Sequence, residues 1–276
     1  MSRTPLAAPA IILALALLSG CGGGEDLLLG ATTSLQGTGL LDELVAGFEE
    51  ESGLEVKYAV AGSGQVLELL RRGEVDVAIT HSPEAEAELV AAGDGVDRRP
   101  VMENEFLLAG PRGDPAGVTG SKSVAEAFGR IAAAGHAFVS RGDTSGTHIR
   151  EVAIWRQAGI DLEGAVWYQE SATTQSQNLL VASDKAAYTL VDSSTFRVMK
   201  DRVDLVSYLA DSEPNLYSVI RANPERHAGV KADAARAFSD FLLSERAREI
   251  INAFGRDQYG ESLFSSLAVP SERVAP

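Results

Sequence analysis

Val101 to Gly117 reads VMENEFLLAGPRGDPAG, a long extended run that dissolves into proline and glycine. It outlasts the common strand of about 5–6 residues. Its tail, GPRGDPAG, carries the turn chemistry of a chain leaving one folded unit for another. The stretch therefore predicts a crossover between two lobes, and LYSVIRANP (216–224) is the natural return crossover.

On either side of this stretch, apolar runs of strand length alternate with helical periods, the signature of α/β layering. On the N-terminal side LLLGA (27–31), EVKYAV (55–60) and VDVAIT (75–80) read as strands. Each is followed by a helix, the first with Leu40, Leu41, Leu44, Val45 and Phe48 on one face and Gly53 as its stop. Beyond the crossover a helix near 123–134 precedes the strand AFVS (137–140), and a second helix runs from about 145 to 158. A strand at AVWYQ, a helix near 175–183 and the strand AAYTLV (186–191) complete the second lobe. KADAARAFSDFLL and SERAREIINAF place Ala, Phe, Leu and Ile at helical spacing, which packs both helices back on the first lobe. The expected division is lobe 1 over 27–109 and 216–276 and lobe 2 over 110–215, each a sheet flanked by helices, with a cleft between them.

The chain has 276 residues, with 24 Lys and Arg against 39 Asp and Glu, for a formal net charge of −15. That balance argues against nucleic acid as a partner. It also means that the global field does not attract an anion, so local dipoles would have to bind one. The first twenty residues combine Arg3, an apolar run from Ala10 to Leu18 and the sequence LSGC, which predicts a secretory signal over 1–20. LSGC resembles a bacterial lipobox. Cys21, the only cysteine, is expected to be lipidated and to anchor the protein at a membrane outside the cytoplasm, with 21–26 as a flexible leash.

Three strand-to-helix junctions carry one chemistry: ATTS (31–34), AGSG (61–64) and SRGDTSGT (140–147). In each, Ser, Thr or Gly opens a helix, so backbone N–H groups and hydroxyls point into one space. A helix N-terminus carries about half a unit of positive charge, which suits oxyanions. Arg141 adds a planar fork of donors. Taken one at a time, these residues also fit ordinary helix caps, and Arg141 fits an ion pair with Asp143 or Glu151. Asp143 is expected to orient Arg141 or cap the helix without touching a ligand.

A Ser/His/Asp set could be drawn from Ser145, His148 and Asp143, but no GxSxG elbow is present, so a hydrolase remains a minor alternative. His148 reads as a partly exposed helix residue and His81 as a loop residue. The carboxylates of EAEAE (84–88) read as a solvated helix face. Four histidines and one cysteine give no zinc spacing, and no cofactor is expected.

These segments together resemble the tungstate-binding proteins of bacterial ABC transporters, within the type II periplasmic solute-binding proteins. ATTSLQGTGLLDELVAGFEEESG, AGSGQVLELLRRGEVDVAITHSPEAE, VMENEFLLAGPRGDPAG, FVSRGDTSGTHIRE, AYTLVDSSTF and LYSVIRANP carry the similarity over nearly the whole chain after the leader. The resemblance implies a monomeric receptor, with no enzymatic activity, that captures tungstate or molybdate in its cleft. It implies closure by hinge motion at 101–111 and 214–222 and delivery of the anion to a membrane permease. It also implies that Thr33 and Ser34, Ser63 with the Gly64 amide, and Arg141 with Ser145, Gly146 and Thr147 contact the anion, with Thr32 as a further donor. Ala31 departs from the family's threonine triplet, Ser63 stands for a usual threonine, and SATTQSQN (171–178) replaces a glycine-rich run. RGDTSGT is also similar to the loop of phosphate binders, so phosphate is the alternative ligand.

Overall fold

A computed structural model describes residues 26–267. Nine strands run in chain order: β1 (Leu27–Thr32), β2 (Val56–Ala61), β3 (Val77–Thr80), β4 (Gly95–Pro111), β5 (Phe138–Ser140), β6 (Tyr168–Glu170), β7 (Thr189–Asp192), β8 (Leu205–Ala222) and β9 (Ser265–Ser266). Between them lie α1 (Thr33–Thr38), α2 (Leu40–Ser52), α3 (Ser63–Arg71), α4 (Pro83–Ala91), α5 (Val124–Ala134), α6 (Gly146–Gln157), α7 (Gln175–Asp184) and α8 (Ser193–Met199). After β8 come α9 (Ala232–Leu242), α10 (Glu245–Ala253) and α11 (Arg256–Tyr259). The alternation expected for an α/β chain is present from β1 to β8, and the expected C-terminal helices follow it.

The sheet order is β2-β1-β3-β8-β4-β7, with β9 beside β4. β4 and β8 are antiparallel to each other over most of their lengths, and they carry the hydrogen bonding from one half of the molecule to the other. In the first half the C-terminal part of β8 pairs β3, with Thr80 opposite Ser218. In the second half the C-terminal part of β4 pairs β7, with Leu108 opposite Leu190. Tyr188 joins β5 to that edge by two backbone bonds, Val139 N to its oxygen at 2.8 Å and its own nitrogen to Ala137 O at 2.9 Å. β6 then pairs β5 in parallel.

The two long strands exceed what the sequence predicts. β4 begins at Gly95 and β8 at Leu205, well before the expected starts at 101 and 216. Register shifts between Val96 and Arg99, Pro100 and Met102, Glu105 and Leu107, and Leu108 and Ala109 bend β4 along its course. Asn104 faces Asn215 at the waist.

Apolar side chains form separate cores on the two sides of this waist. One contains Leu29, Leu44, Phe48, Val77, Tyr217, Phe238 and Phe264 and packs α2, α9 and α10 on the sheet. Another holds Phe106, Leu108, Phe128, Phe138, Trp155 and Tyr188 under α5 and α6. At about 25 cal/mol per Å2 of apolar area removed from water, such clusters dominate the stability of each half.

The acidic face of α4 is a correction to the sequence reading. Glu84 and Glu88 are exposed, but Glu86 is fully buried. Its Oε1 accepts from Thr80 Oγ1 at 2.8 Å and Ser82 N at 2.9 Å, and its Oε2 pairs with Arg98 at 2.8 Å. A buried carboxylate survives because each oxygen has a donor.

Candidate functional site

At the β1–α1 junction Thr32 is the N-cap of α1 but makes no side-chain cap bond. Ser34 Oγ instead lies 3.2 Å from Thr32 Oγ1 and 3.2 Å from the Tyr217 hydroxyl. At the β2–α3 junction Ser63 is buried, and its Oγ accepts from His81 N at 3.4 Å. The Gly64 amide donates to Thr144 O at 3.3 Å, so it bridges from the first half of the molecule to the second.

The β5–α6 junction holds the strongest donors. Arg141 is 4% exposed. Its Nη2 pairs with Asp143, its Nη1 donates to Gln175 Oε1 at 3.3 Å, and its Nε is buried with no partner among the described residues. Asp143 both orients Arg141 and braces the turn, for its Oδ1 accepts from Ser145 N at 3.0 Å. Ser145 Oγ caps α6 by accepting from His148 N at 3.2 Å. Thr147 Oγ1 is likewise buried without a partner among the described residues. An unpaired buried donor costs about 1–3 kcal/mol. The two donors stand at the two ends of the segment 141–147.

Gly146 opens α6 against the opposite wall. A Cβ at this position would lie 2.3 Å from the His81 carbonyl oxygen, so no other residue allows this approach. His148 is half-buried, and burial holds its imidazole below the ordinary histidine range despite the nearby Asp143 and Glu170. Its Nδ1 lies 3.0 Å from Ser140 Oγ. Ser145 Oγ is thus engaged as a cap and His148 pairs with a different serine, so the Ser145–His148 side-chain pair that the hydrolase alternative named is not formed.

Sequence reasoning missed several members of the site. Thr174, Gln175, Ser176 and Thr195 face Thr33 and Ser34 across a cavity of about 140 Å3. Gln175 is buried, and its Nε2 donates to Leu190 O at 3.2 Å while its Oε1 holds Arg141. It lies in the SATTQSQN segment, where Thr174 and Gln177 form a reciprocal capping box that a T-x-x-Q spacing announces. Asp192 caps α8, its Oδ1 accepting from Thr195 N at 2.8 Å, and its Oδ2 is buried without a partner among the described residues. Cys21 lies outside the described residues.

A PBP superfamily domain model matches residues 19–246. The chain belongs to the PBP superfamily. A tungstate-binding protein of Peptoclostridium acidaminophilum is 38% identical over 245 residues, covering 87% of this chain and 85% of that protein. A tungstate-binding protein of Campylobacter jejuni is 34% identical over 227 residues, covering 80% and 84%. Among solved structures, the tungstate ABC transporter protein of Geobacter sulfurreducens matches with a TM-score of 0.76 at 38% identity, over 82% of this chain and 97% of that one. The tungstate-binding protein of Desulfovibrio alaskensis matches with a TM-score of 0.75 at 35% identity, over 88% and 99%. This PBP fold, with β4 and β8 paired along the middle of its sheet, is therefore that of transporter substrate-binding proteins.

Proposed function

We propose that this chain is the substrate-binding protein of an ABC transporter and captures a tetrahedral oxyanion, tungstate or molybdate, for delivery to a membrane permease. The observation that carries the reading is the pair of buried, unpartnered donors at one turn, Arg141 Nε and Thr147 Oγ1. Thr32, Thr33, Ser34, Ser63, Gly64, Ser145 and Gly146 complete the donor set we assign to the anion. The Gly64 amide already serves Thr144 O, so its share of the ligand requires a bifurcated bond or a small shift, whereas Ser145 Oγ accepts from His148 N and keeps its own O–H to donate. The relatives' names support tungstate.

Fully deprotonated oxyanions need only donors. Asp143 has both carboxylate oxygens engaged within its own turn, which leaves it poorly placed to accept a proton from a ligand. One observation favours phosphate as a second reading. Asp192 Oδ2 is a buried acceptor without a donor, beside Thr195 of the cavity wall, and a protonated anion would supply one.

The proposal divides the chain at the waist, with lobe 1 over 27–109 and 216–276 and lobe 2 over 110–215. The separate cores support it, although Phe106 and Leu108 already pack in the second core. The protein acts as a monomer, performs no catalysis, and sits outside the cytoplasm on a lipid attached at Cys21. Calorimetric titration of a soluble form beginning at Glu25 against tungstate, molybdate, sulfate and phosphate tests the reading. Tight 1:1 binding of tungstate, lost in Arg141→Ala, is the expected result. Selective phosphate binding would transfer the protein to the second reading, and failure to bind any of the four would sink both.

A further inference from the structure

His81 lies in the loop between β3 and α4, as its sequence suggests, but it is buried, with 4% of its surface exposed. Its ring stacks on Tyr217 with centroids 4.7 Å apart and planes 14° from parallel. Its other neighbours are Ser63 Oγ, which accepts from its backbone N–H, and Gly146, whose absent Cβ would sit 2.7 Å from Nδ1. It thus touches one anion-site junction in each half of the molecule.

The ring is also one end of a buried hydrogen-bond relay, and the chemistry at the other end fixes its direction. Asp192 Oδ1 already accepts from Thr195 N, as only a hydrogen-bond acceptor can, so Asn104 turns its Nδ2 towards Asp192 (3.4 Å) and Ser194 Oγ (3.0 Å). Asn104 Oδ1 must then accept, which it does from Asn215 Nδ2 at 2.7 Å. Asn215 therefore presents Oδ1 to His81 Nδ1 at 2.7 Å, and that nitrogen carries the proton. Burial, the largest influence, holds the His81 imidazole below the ordinary histidine range, so the ring stays neutral. The relay crosses both long strands at the waist where Asn104 and Asn215 face each other.

We propose that His81 is a positioning residue for anion capture: donating Nδ1–H to Asn215, it seats Ser63 and the start of α6 against each other as the cleft closes. This inference rests on the oxyanion-receptor reading and adds a residue, and a link to the waist, that the donor set itself does not contain. The ring itself need not touch the anion. It sets the distance between two groups of donors that do.

The test uses the full chain without its leader, titrated with tungstate. His81→Leu keeps bulk but removes the donor, and its affinity is expected to fall by about tenfold or more, the equivalent of one lost buried hydrogen bond. His81→Asn places an amide nitrogen where Nδ1 stood, and affinity within about threefold of wild type is expected. Asn215→Ala breaks the relay from its other side and is expected to match His81→Leu, with the double variant no weaker than either single one. Melting in the absence of anion checks that each variant folds; should His81→Leu fail this check, Asn215→Ala decides. Equal affinity in His81→Leu and wild type, or equal loss in His81→Asn and His81→Leu, overturns the proposal. Failure of the wild type to bind tungstate, molybdate or phosphate overturns the receptor reading instead, and this inference with it.

Discussion

Arg141 and Thr147 flank a single turn, and each carries a buried polar atom, Nε and Oγ1, with no partner among the described residues. The rest of the Arg141 fork is held by Asp143 and Gln175, so the side chain is fixed before any ligand arrives. A receptor of this kind loses little side-chain entropy on binding.

Removing Thr147 Oγ1 should cost one charge-assisted hydrogen bond. Thr147→Val, which preserves shape, is expected to weaken tungstate binding by about 1.5–3 kcal/mol while leaving the melting temperature without ligand unchanged or raised, because a buried unpaired hydroxyl is also gone. Isothermal titration and thermal melts measure the two quantities separately. Unaltered affinity would place the anion elsewhere.

Asp143 has a different task. Asp143→Asn should release Arg141 and weaken the anion by on the order of tenfold through lost preorganisation. Phosphate affinity should fall alongside tungstate affinity. A selective loss of phosphate would mean that the carboxylate accepts the ligand's proton after all.

Gly146→Ala separates closure from folding. Alanine favours the helix by about 1 kcal/mol over glycine, yet its Cβ would stand 2.3 Å from His81 O when the cleft is shut. Undiminished stability with a more open solution shape and weaker anion binding is expected, read by small-angle scattering with and without tungstate. Normal compaction on adding the anion would show that the close approach is dispensable.

Glu151 predicts a pH dependence. Burial raises its carboxyl from the usual 4.5 to about 8, against the opposing bonds from Tyr168, Ser140 and Trp155. Between those values the folded state holds a proton that the unfolded chain has released, so stability falls as pH rises, by about 1.4 kcal/mol per pH unit from this group alone. Below pH 4.5 its contribution is fully present, and above about 8 it is lost. Glu151→Gln mimics the protonated form and should gain on wild type progressively over that window in denaturant melts. Parallel pH profiles for the two proteins would refute it.

The crossover strand was legible because 101–111 is long, extended and closed by a Pro/Gly segment. The first part of β4 was not, since GVDRRP mixes charge and proline and its pairing is broken by the shifts between Val96 and Met102. The first part of β8 was hidden for a related reason: SYLADSEPN carries too much polarity to read as a strand, and its order comes from β4 rather than from its own periodicity. The junctions were legible as caps, because N-cap chemistry is local. Gln175 and Asn215 were not, since they meet Arg141 and His81 from 34 and 134 residues away. Burial of Glu86 was equally invisible, for its partner Arg98 belongs to a neighbouring strand.

The place of β8 in the sheet, between β3 and β4, has a consequence for biosynthesis. β1, β2 and β3 leave the ribosome early, yet the strand that covers the inner edge of β3 is completed only at Ala222. Until then the nascent chain displays an unpaired apolar edge of the kind that recruits foreign strands. The segment from β5 to β7 has no such wait for its nearest partners. β4, on the other side of the gap, waits for the same strand, so neither half of the sheet is complete until β8 inserts between them.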